Sequence, residues 1–276
     1  MPHEPPLAPH RADHSDALAV DGASDLAIGW ARRGDSVELE ISGDHRSPPT
    51  SPELVADLAR TVTAVLARPE LDGASAHLAA DHPSGSLDPL PEAVADATGF
   101  TDRRDLLQLR RGLPVEVDHQ ARDGAPALRT RAFRPGADES AWLRVNNRAF
   151  ADHADQGHET TQTLDVRRAE PWFDANGFLV ADDDGRPGEL AGFCWTKVHP
   201  PTATEPELGE IYVIGVDPVH RGEGLGLSFV LAGLDHLTGR GIAIAGLFVD
   251  ANNGPARRLY DRLGFAVHRR RRVYTS

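Results

Sequence analysis

Residues 209–227 read GEIYVIGVDPVHRGEGLGL. The β-branched and aromatic run from Ile211 to Val216 predicts a strand. Asp217-Pro218 ends it, and Gly222, Gly224 and Gly226 alternate through the turn that follows. Leu227 opens an apolar helical pattern continued by Val230, Leu231, Leu234 and Leu237. Glycine takes positive φ at little steric cost and, having no Cβ, lets backbone N–H groups come close to a ligand. A helix N-terminus behind such a turn adds about half a positive charge. The combination predicts an anion cradle suited to a pyrophosphate. A Walker-type phosphate loop needs Lys-Ser/Thr after the last glycine, where Leu227-Ser228 stands, and a dinucleotide fingerprint needs glycine in place of Leu227. Spacing excludes both.

Further along, Leu247-Phe248-Val249-Asp250-Ala251-Asn252-Asn253 precedes Ala256, Leu259-Tyr260 and Leu263-Gly264-Phe265. This predicts a strand and a helix capped by Asn253, packed through Ala256, Leu259 and Leu263, and stopped by a left-handed Gly264. Arg221-x-x-Gly224-x-Gly226 after a strand resembles motif A of the GNAT acetyltransferase superfamily, Arg/Gln-x-x-Gly-x-Gly/Ala, which holds the pyrophosphate of acetyl-CoA. The 247–265 segment looks like motif B of the same superfamily. The resemblance implies an α/β fold, with a mixed central sheet flanked by helices, and acetyl-CoA as co-substrate.

More strings narrow the resemblance. Arg144-Val145-Asn146-Asn147-Arg148-Ala149-Phe150 leads to His153-Ala154-Asp155-Gln156-Gly157, then Glu170-Pro171-Trp172-Phe173, then residues 192–199, GFCWTKVH, and residues 209–218. They are similar to the mycothiol synthase family, actinobacterial tandem GNAT enzymes that acetylate the cysteinyl amine of desacetylmycothiol. The similarity is dense over 128–276 and sparse before it. By this resemblance Ile214, Gly215 and Val216 pair along the pantetheine arm. Arg221, Gly222, Glu223, Gly224, Leu225, Gly226 and Leu227 bind the pyrophosphate, and Asn253, Gly254, Pro255, Ala256, Arg257 and Arg258 touch the far side of CoA. Lys197 and Glu210 contact the acceptor, as do the positions of Asp155 and Phe248. Tyr260 stands near the departing sulfur. Asp155 replaces a family Glu, Phe248 replaces a family Tyr, and an N-terminal acidic residue that contacts the acceptor in the family has no match here.

The chemistry needs a neutral amine, a polarised thioester and a proton for the leaving thiolate. An α-amine titrates at about 7.7–8.0, so a modest base suffices, and Glu210 is the candidate, directly or through water. Splay of the strand after Glu210 would aim a backbone N–H, from Val216 or nearby, at the thioester oxygen. Tyr260 would return a proton to the thiolate. Cys194, mid-strand between Phe193 and Trp195, gets no catalytic role, so transfer is direct. No metal-ligand spacing surrounds His153 and His158, and no metal is expected. Two other readings stay open at this level: a GNAT enzyme for another small-molecule or peptide amine, and a non-catalytic acyl-CoA-binding module.

The chain also resembles itself. Gly29-Trp30-Ala31, Val37 to Ile41 and a helix from Glu53 to Ala67, begun by Ser51-Pro52, run parallel to Gly192-Phe193-Cys194-Trp195, Ile211 to Val216 and the helix after Gly224. Each series continues with a strand, a short helix, a Gly-Phe pair (Gly99-Phe100; Gly264-Phe265) and an arginine-rich last strand. The expectation is tandem GNAT domains with the N-terminal copy shortened and degenerate: a tail over 1–16, the first domain over 17–112, a linker over 113–127 and the catalytic domain over 128–276.

Composition and charge set outer bounds. A net charge of −13 disfavours nucleic acid. No apolar run approaches the roughly 20 residues that cross a bilayer, and the single cysteine precludes an intrachain disulfide. The family resemblance implies a monomer in the cytoplasm that works on a small molecule, with no membrane partner. Lys197 is the one lysine among otherwise arginine cations, which singles it out as a compact ammonium. Arg269 to Arg272 is expected on a solvated edge strand.

Overall fold

The computed structural model describes residues 17–19, 26–33, 36–43, 51–83, 89–115, 124–151, 157–203 and 205–275. The predicted tail, residues 44–50, and His153 and Asp155 lie outside them.

The elements run β1 (Ala17–Ala19), β2 (Leu26–Arg33), β3 (Ser36–Gly43), α1 (Pro52–Leu66), β4 (Ser75–Pro83), α2 (Pro89–Thr98), β5 (Asp102–Gly112), β6 (Arg131–Ala132), α3 (Glu139–Ala149), α4 (Thr161–Arg168), β7 (Phe178–Asp182), β8 (Leu190–His199), β9 (Leu208–Val216), α5 (Leu225–Gly239), β10 (Ile244–Asp250), α6 (Gly254–Arg262) and β11 (Ala266–Thr275). Local signals act as read. The Ser51 side chain accepts from the Leu54 N–H to begin α1, with Pro52 at its first position. Asn253 accepts from the Ala256 N–H to begin α6, and Gly264, at φ 73°, follows its end. Helix α5 is apolar nearly all round, and Leu227, Phe229, Val230, Leu231, Leu234 and Leu237 are buried.

All eleven strands form one mixed sheet in the order β1-β2-β3-β4-β11-β5-β10-β9-β8-β7-β6. β2 and β3 are antiparallel and β3 and β4 parallel; β8 and β9 are antiparallel and β9 and β10 parallel. The arginine-rich strands are exchanged: β11 lies between β4 and β5, and β5 lies between β11 and β10. This corrects the edge-strand expectation for Arg269 to Arg272, because the run sits mid-sheet, hydrogen-bonded on both sides. Its charges are neutralised in place. Arg272 pairs with Asp105 at 2.6 Å, and Arg271, 5% exposed, pairs with Glu38. Arg269 pairs with Glu205.

Three cores result. One joins α1 and α2 to β2–β4 through Leu58, Val62, Leu39, Leu78, Val94 and Tyr274. A second joins α5 and α6 to β5, β9 and β10 through Leu107, Leu109, Leu247, Leu234 and Tyr260. The third is aromatic: the Trp142 ring of α3 meets Phe178, Phe193 and Trp195 edge-on at centroid distances of 5.6 to 5.9 Å. In the predicted linker, Val115 belongs to the second core, with Leu113 and Ala125 packed against it.

Candidate active site

The site begins where two parallel strands part. β9 and β10 pair only over Gly209 to Ile211 and Ala245 to Leu247, although β9 continues to Val216 and β10 to Asp250. A bulge lies at the parting. Trp195 pairs with Val213 and Thr196 with Ile211, so the register shifts by one residue at Tyr212. The extra residue puts both Tyr212 and Val213 on the aromatic-core side, and turns Ile214 and Val216 toward the α5–α6 core. Asp217 N–H donates to Ala191 O across β8; by strand alternation the Val216 N–H points away from β8, into the opening.

Glu210 sits at the apex, 3% exposed. It lies opposite Lys197 on β8 and Gly246 on β10. Its Oε2 is 2.5 Å from His199 Nε2. Lys197 is buried as well, and its Nζ stands 4.4 Å from the Trp172 ring centroid and 5.3 Å from that of Tyr212. The bulge thus supplies one wall of an aromatic seat for the only ammonium side chain, each face contributing about 0.5–2 kcal/mol. Phe248, half-buried on β10, shares the Glu210 face two residues beyond Gly246 and lies opposite Gln108 of β5.

Below the opening, β9 runs into the cradle. Asp217, fully buried, accepts from the Val219 N–H at 3.1 Å and so starts a 3-10 turn over Pro218–His220. Arg221, Gly222, Glu223 and Gly224 are exposed. Gly222 and Gly224 have φ of 91° and 79°, and a Cβ on Gly224 would stand 3.2 Å from Pro126. The Leu227 N–H closes the first helical turn on Gly224 O, and its side chain is in the core. Arg257 and Arg258 are exposed on α6 beside Asn253. Gly215 is small because a Cβ there would meet Phe193 at 2.7 Å.

A charge network assembled from separate elements anchors this turn. Arg148 of α3 reaches Asp217 at 2.6 Å, and Arg186 bridges Asp217 at 3.0 Å and Asp183 at 2.6 Å. His220 Nε2 is 2.8 Å from Asp183, and its Nδ1 is 3.0 Å from Glu223. Burial alone would raise Asp183, but hydrogen bonds from His220, Arg186 and the Gly185 N–H outweigh it and bring the carboxyl down to about 2. The same opposition, with Val219, Arg148 and Arg186 as donors, lowers Asp217. Hydrogen bonding to Asp183 raises His220, with Glu223 adding to the effect against burial. No fixed spacing links Arg148, Asp183, Arg186 and Asp217, so only folding reveals the set.

Tyr260 is buried on α6 in the same core that Ile214 and Val216 pack against, and burial holds its phenol well above the usual range. Cys194 is buried under α5, and burial pushes its thiol up to about 12, which keeps it protonated and unreactive. Among the described residues no group of three or more His, Cys, Asp or Glu is placed to hold a metal ion. No described helix is long and apolar enough to cross a membrane.

The Acetyltransferase (GNAT) family matches residues 141–265, the segment that holds bulge, cradle and Tyr260. A mycothiol acetyltransferase of Acidimicrobium ferrooxidans is 43% identical over 274 residues, covering 95% of this chain and 82% of that one. The chain belongs to the mycothiol acetyltransferase family. Members of its GNAT superfamily use acetyl-CoA as acetyl donor. Solved structures agree on the fold. A GCN5-related N-acetyltransferase from Sphaerobacter thermophilus superposes with a TM-score of 0.61 at 22% identity, covering 93% of this chain and 78% of that one. A tandem GNAT protein from the clavulanic acid pathway gives 0.59 at 19% identity, covering 94% and 80%.

Proposed function

We propose that this chain transfers the acetyl group of acetyl-CoA to the cysteinyl amine of desacetylmycothiol. The observation that carries the reading is a buried carboxylate, Glu210, at the apex of the β9–β10 opening and on the strand that runs into the glycine turn. In this reading the pantetheine arm lies along Ile214, Gly215 and Val216, and the pyrophosphate on the turn from Arg221 to Leu227. The donors are the N–H groups of Gly222, Gly224, Leu225 and Gly226, with the α5 dipole behind them. Asn253 to Arg258 hold the remainder of CoA.

Glu210 takes the amine proton, and the nitrogen attacks the thioester carbon. The Val216 N–H steadies the oxyanion, a well-aimed donor being worth about 3 kcal/mol. Tyr260, kept protonated by burial, donates to the thiolate as the C–S bond breaks. Lys197, Asp155 and the Phe248 wall position the acceptor. Gln108, beside Phe248, offers an amide where the family tyrosine would offer a hydroxyl.

The reading extends to the architecture. The two halves are tandem GNAT copies divided near 113–127, the first shortened and no longer able to hold CoA; matching element order and pairing senses support it. It further takes the enzyme to be a cytoplasmic monomer that needs no metal. Incubation with acetyl-CoA and desacetylmycothiol, with mass spectrometry of the product, tests the assignment. One acetyl group on nitrogen, with little activity toward other amines, is expected. Tight acetyl-CoA binding without turnover would transfer the chain to another acceptor or to a binding role.

A further inference from the structure

We propose that His199 is the positioning residue and proton outlet of Glu210, an inference that rests on Glu210 acting as the base. Glu210 is buried, so a proton it takes from the amine has no direct path to water. Its Oε2 meets His199 Nε2 at 2.5 Å, and the His199 side chain, at the end of β8, is 28% exposed. The ring therefore spans from the buried carboxylate to solvent. As the amine attacks, an N–H bond breaks and a Glu210 O–H bond forms. That O–H bond then breaks as the Nε2–H bond of His199 forms, leaving carboxylate and imidazolium. The imidazolium gives one proton to water and the pair is reset.

The other half of the molecule supplies the contrast. Glu38 is the third residue of β3 as Glu210 is of β9, and it faces the third residue of β4, His77, as Glu210 faces the third of β10. The cation on Glu38 is Arg271. A guanidinium cannot accept a proton or release one near neutrality. A carboxylate paired to arginine is fixed, whereas one paired to imidazole can be emptied after every turnover. Across the sheet the register runs Lys197, Glu210, Gly246 and Arg110, so Lys197 of β8 is the charged residue opposite Glu210 and Arg110 of β5 lies beyond Gly246. Arg110 pairs with Glu205 of the β8–β9 loop, which also pairs with Arg269 of β11. His268, on β11, belongs to that neighbouring group and is held below its ordinary value by burial, Arg110 and Arg269.

The test compares His199→Phe, His199→Gln, His268→Gln and Glu210→Gln by steady-state kinetics across pH with acetyl-CoA and desacetylmycothiol, alongside acetyl-CoA affinity by calorimetry. Glutamine keeps an N–H donor for Glu210 but cannot carry a proton. His199→Phe should lower kcat about tenfold, a fraction of what a general base contributes, at unchanged acetyl-CoA affinity. His199→Gln should recover little of that loss and should displace the acidic limb of the kcat/KM profile; His268→Gln should leave that limb in place. A His199→Gln enzyme with normal rate and profile would overturn the outlet, as would a limb that moves only with His268. If Glu210→Gln still turns over, the base assignment itself fails. If Glu210→Gln is inactive while both His199 variants are normal, the base stands and this inference alone falls.

Discussion

The two halves of the sheet carry the same order of elements and differ at three points, each bearing on chemistry. β3 and β4 stay paired over five residues, Ser36 to Glu40, whereas β9 and β10 part after three. Helix α1 caps itself: Ser51 takes the Leu54 N–H, and Pro52 has no N–H to offer. Helix α5 begins on Gly224, which has no side chain to cap with, so its first donors stay turned outward. Glu38 is ion-paired to a buried arginine, and Glu210 is paired to a histidine. A helix that satisfies its own N-terminus gains stability there; one that leaves donors unmet, at the end of a strand that has come away from its neighbour, keeps them available to an anion, which is the role proposed for the start of α5.

The largest expected effect separates the two carboxylates. Glu210→Gln should lower kcat about 10³-fold, within the range for loss of a general base, with acetyl-CoA affinity unchanged. Glu38→Gln should leave kcat alone and lower Tm instead, because Arg271 keeps its buried charge and loses its anion. Equal losses of turnover from both would break the distinction between the halves.

The two helix starts come next. Gly224→Val forces a β-branched residue into positive φ and against Pro126, and should weaken acetyl-CoA binding about 100-fold, ~2.7 kcal/mol. Ser51→Ala should cost about 1 kcal/mol of stability and leave acetyl-CoA binding untouched. Calorimetric titration together with thermal unfolding reads both. Arg148→Leu tests whether the cradle is held from α3: removing one cation from buried Asp217 should raise the acetyl-CoA KM about tenfold with kcat preserved. A fall in kcat at constant KM would place Arg148 elsewhere in the mechanism.

The smallest effect is a pH dependence of the cradle. The folded state raises His220, so the stabilisation its charge gives the turn is complete below the ordinary value of about 6.5 and is lost as pH rises through the higher folded value. Asp183, at about 2, stays ionised throughout. Acetyl-CoA Kd should therefore rise about threefold from slightly acid to alkaline pH, and His220→Gln should flatten that slope. A slope that persists in the variant would show that another group is responsible.

What was legible in the sequence is what depends on neighbours along the chain. Residues 209–227 announced strand, turn and helix because positive φ, capping and helix periodicity are local demands, and Ser51, Asn253 and Gly264 stand at the ends they predicted. Lys197 and Glu210 were named apart, and the β8–β9 register sets them face to face. Asp155 lies outside the described residues, so its predicted part in acceptor binding has no geometry here. What was not legible depends on residues far apart. The arginine run was expected at an edge because four adjacent cations look solvated; β11 instead inserts between β4 and β5, where Glu38, Asp105 and Glu205 meet its charges. Gln108, Asp183 and Arg186 carried no motif, and Arg148 and His199 stood in strings of the family resemblance without a role of their own; each acquires one only through a partner on another element.

The sequence by itself determined the class of fold and the strand, glycine turn and helix over 209–227, since glycine conformation, helix capping and alternation along a strand are fixed by adjacent residues. Only the tertiary structure decided that β9 and β10 part at Tyr212, that the last strands are exchanged between halves, and that the Glu210 carboxylate pairs with the side chain of His199. Those outcomes turn on strand register and on which charges find one another in a shared interior, where an unpaired ion is costly enough to select its partner across any distance in sequence.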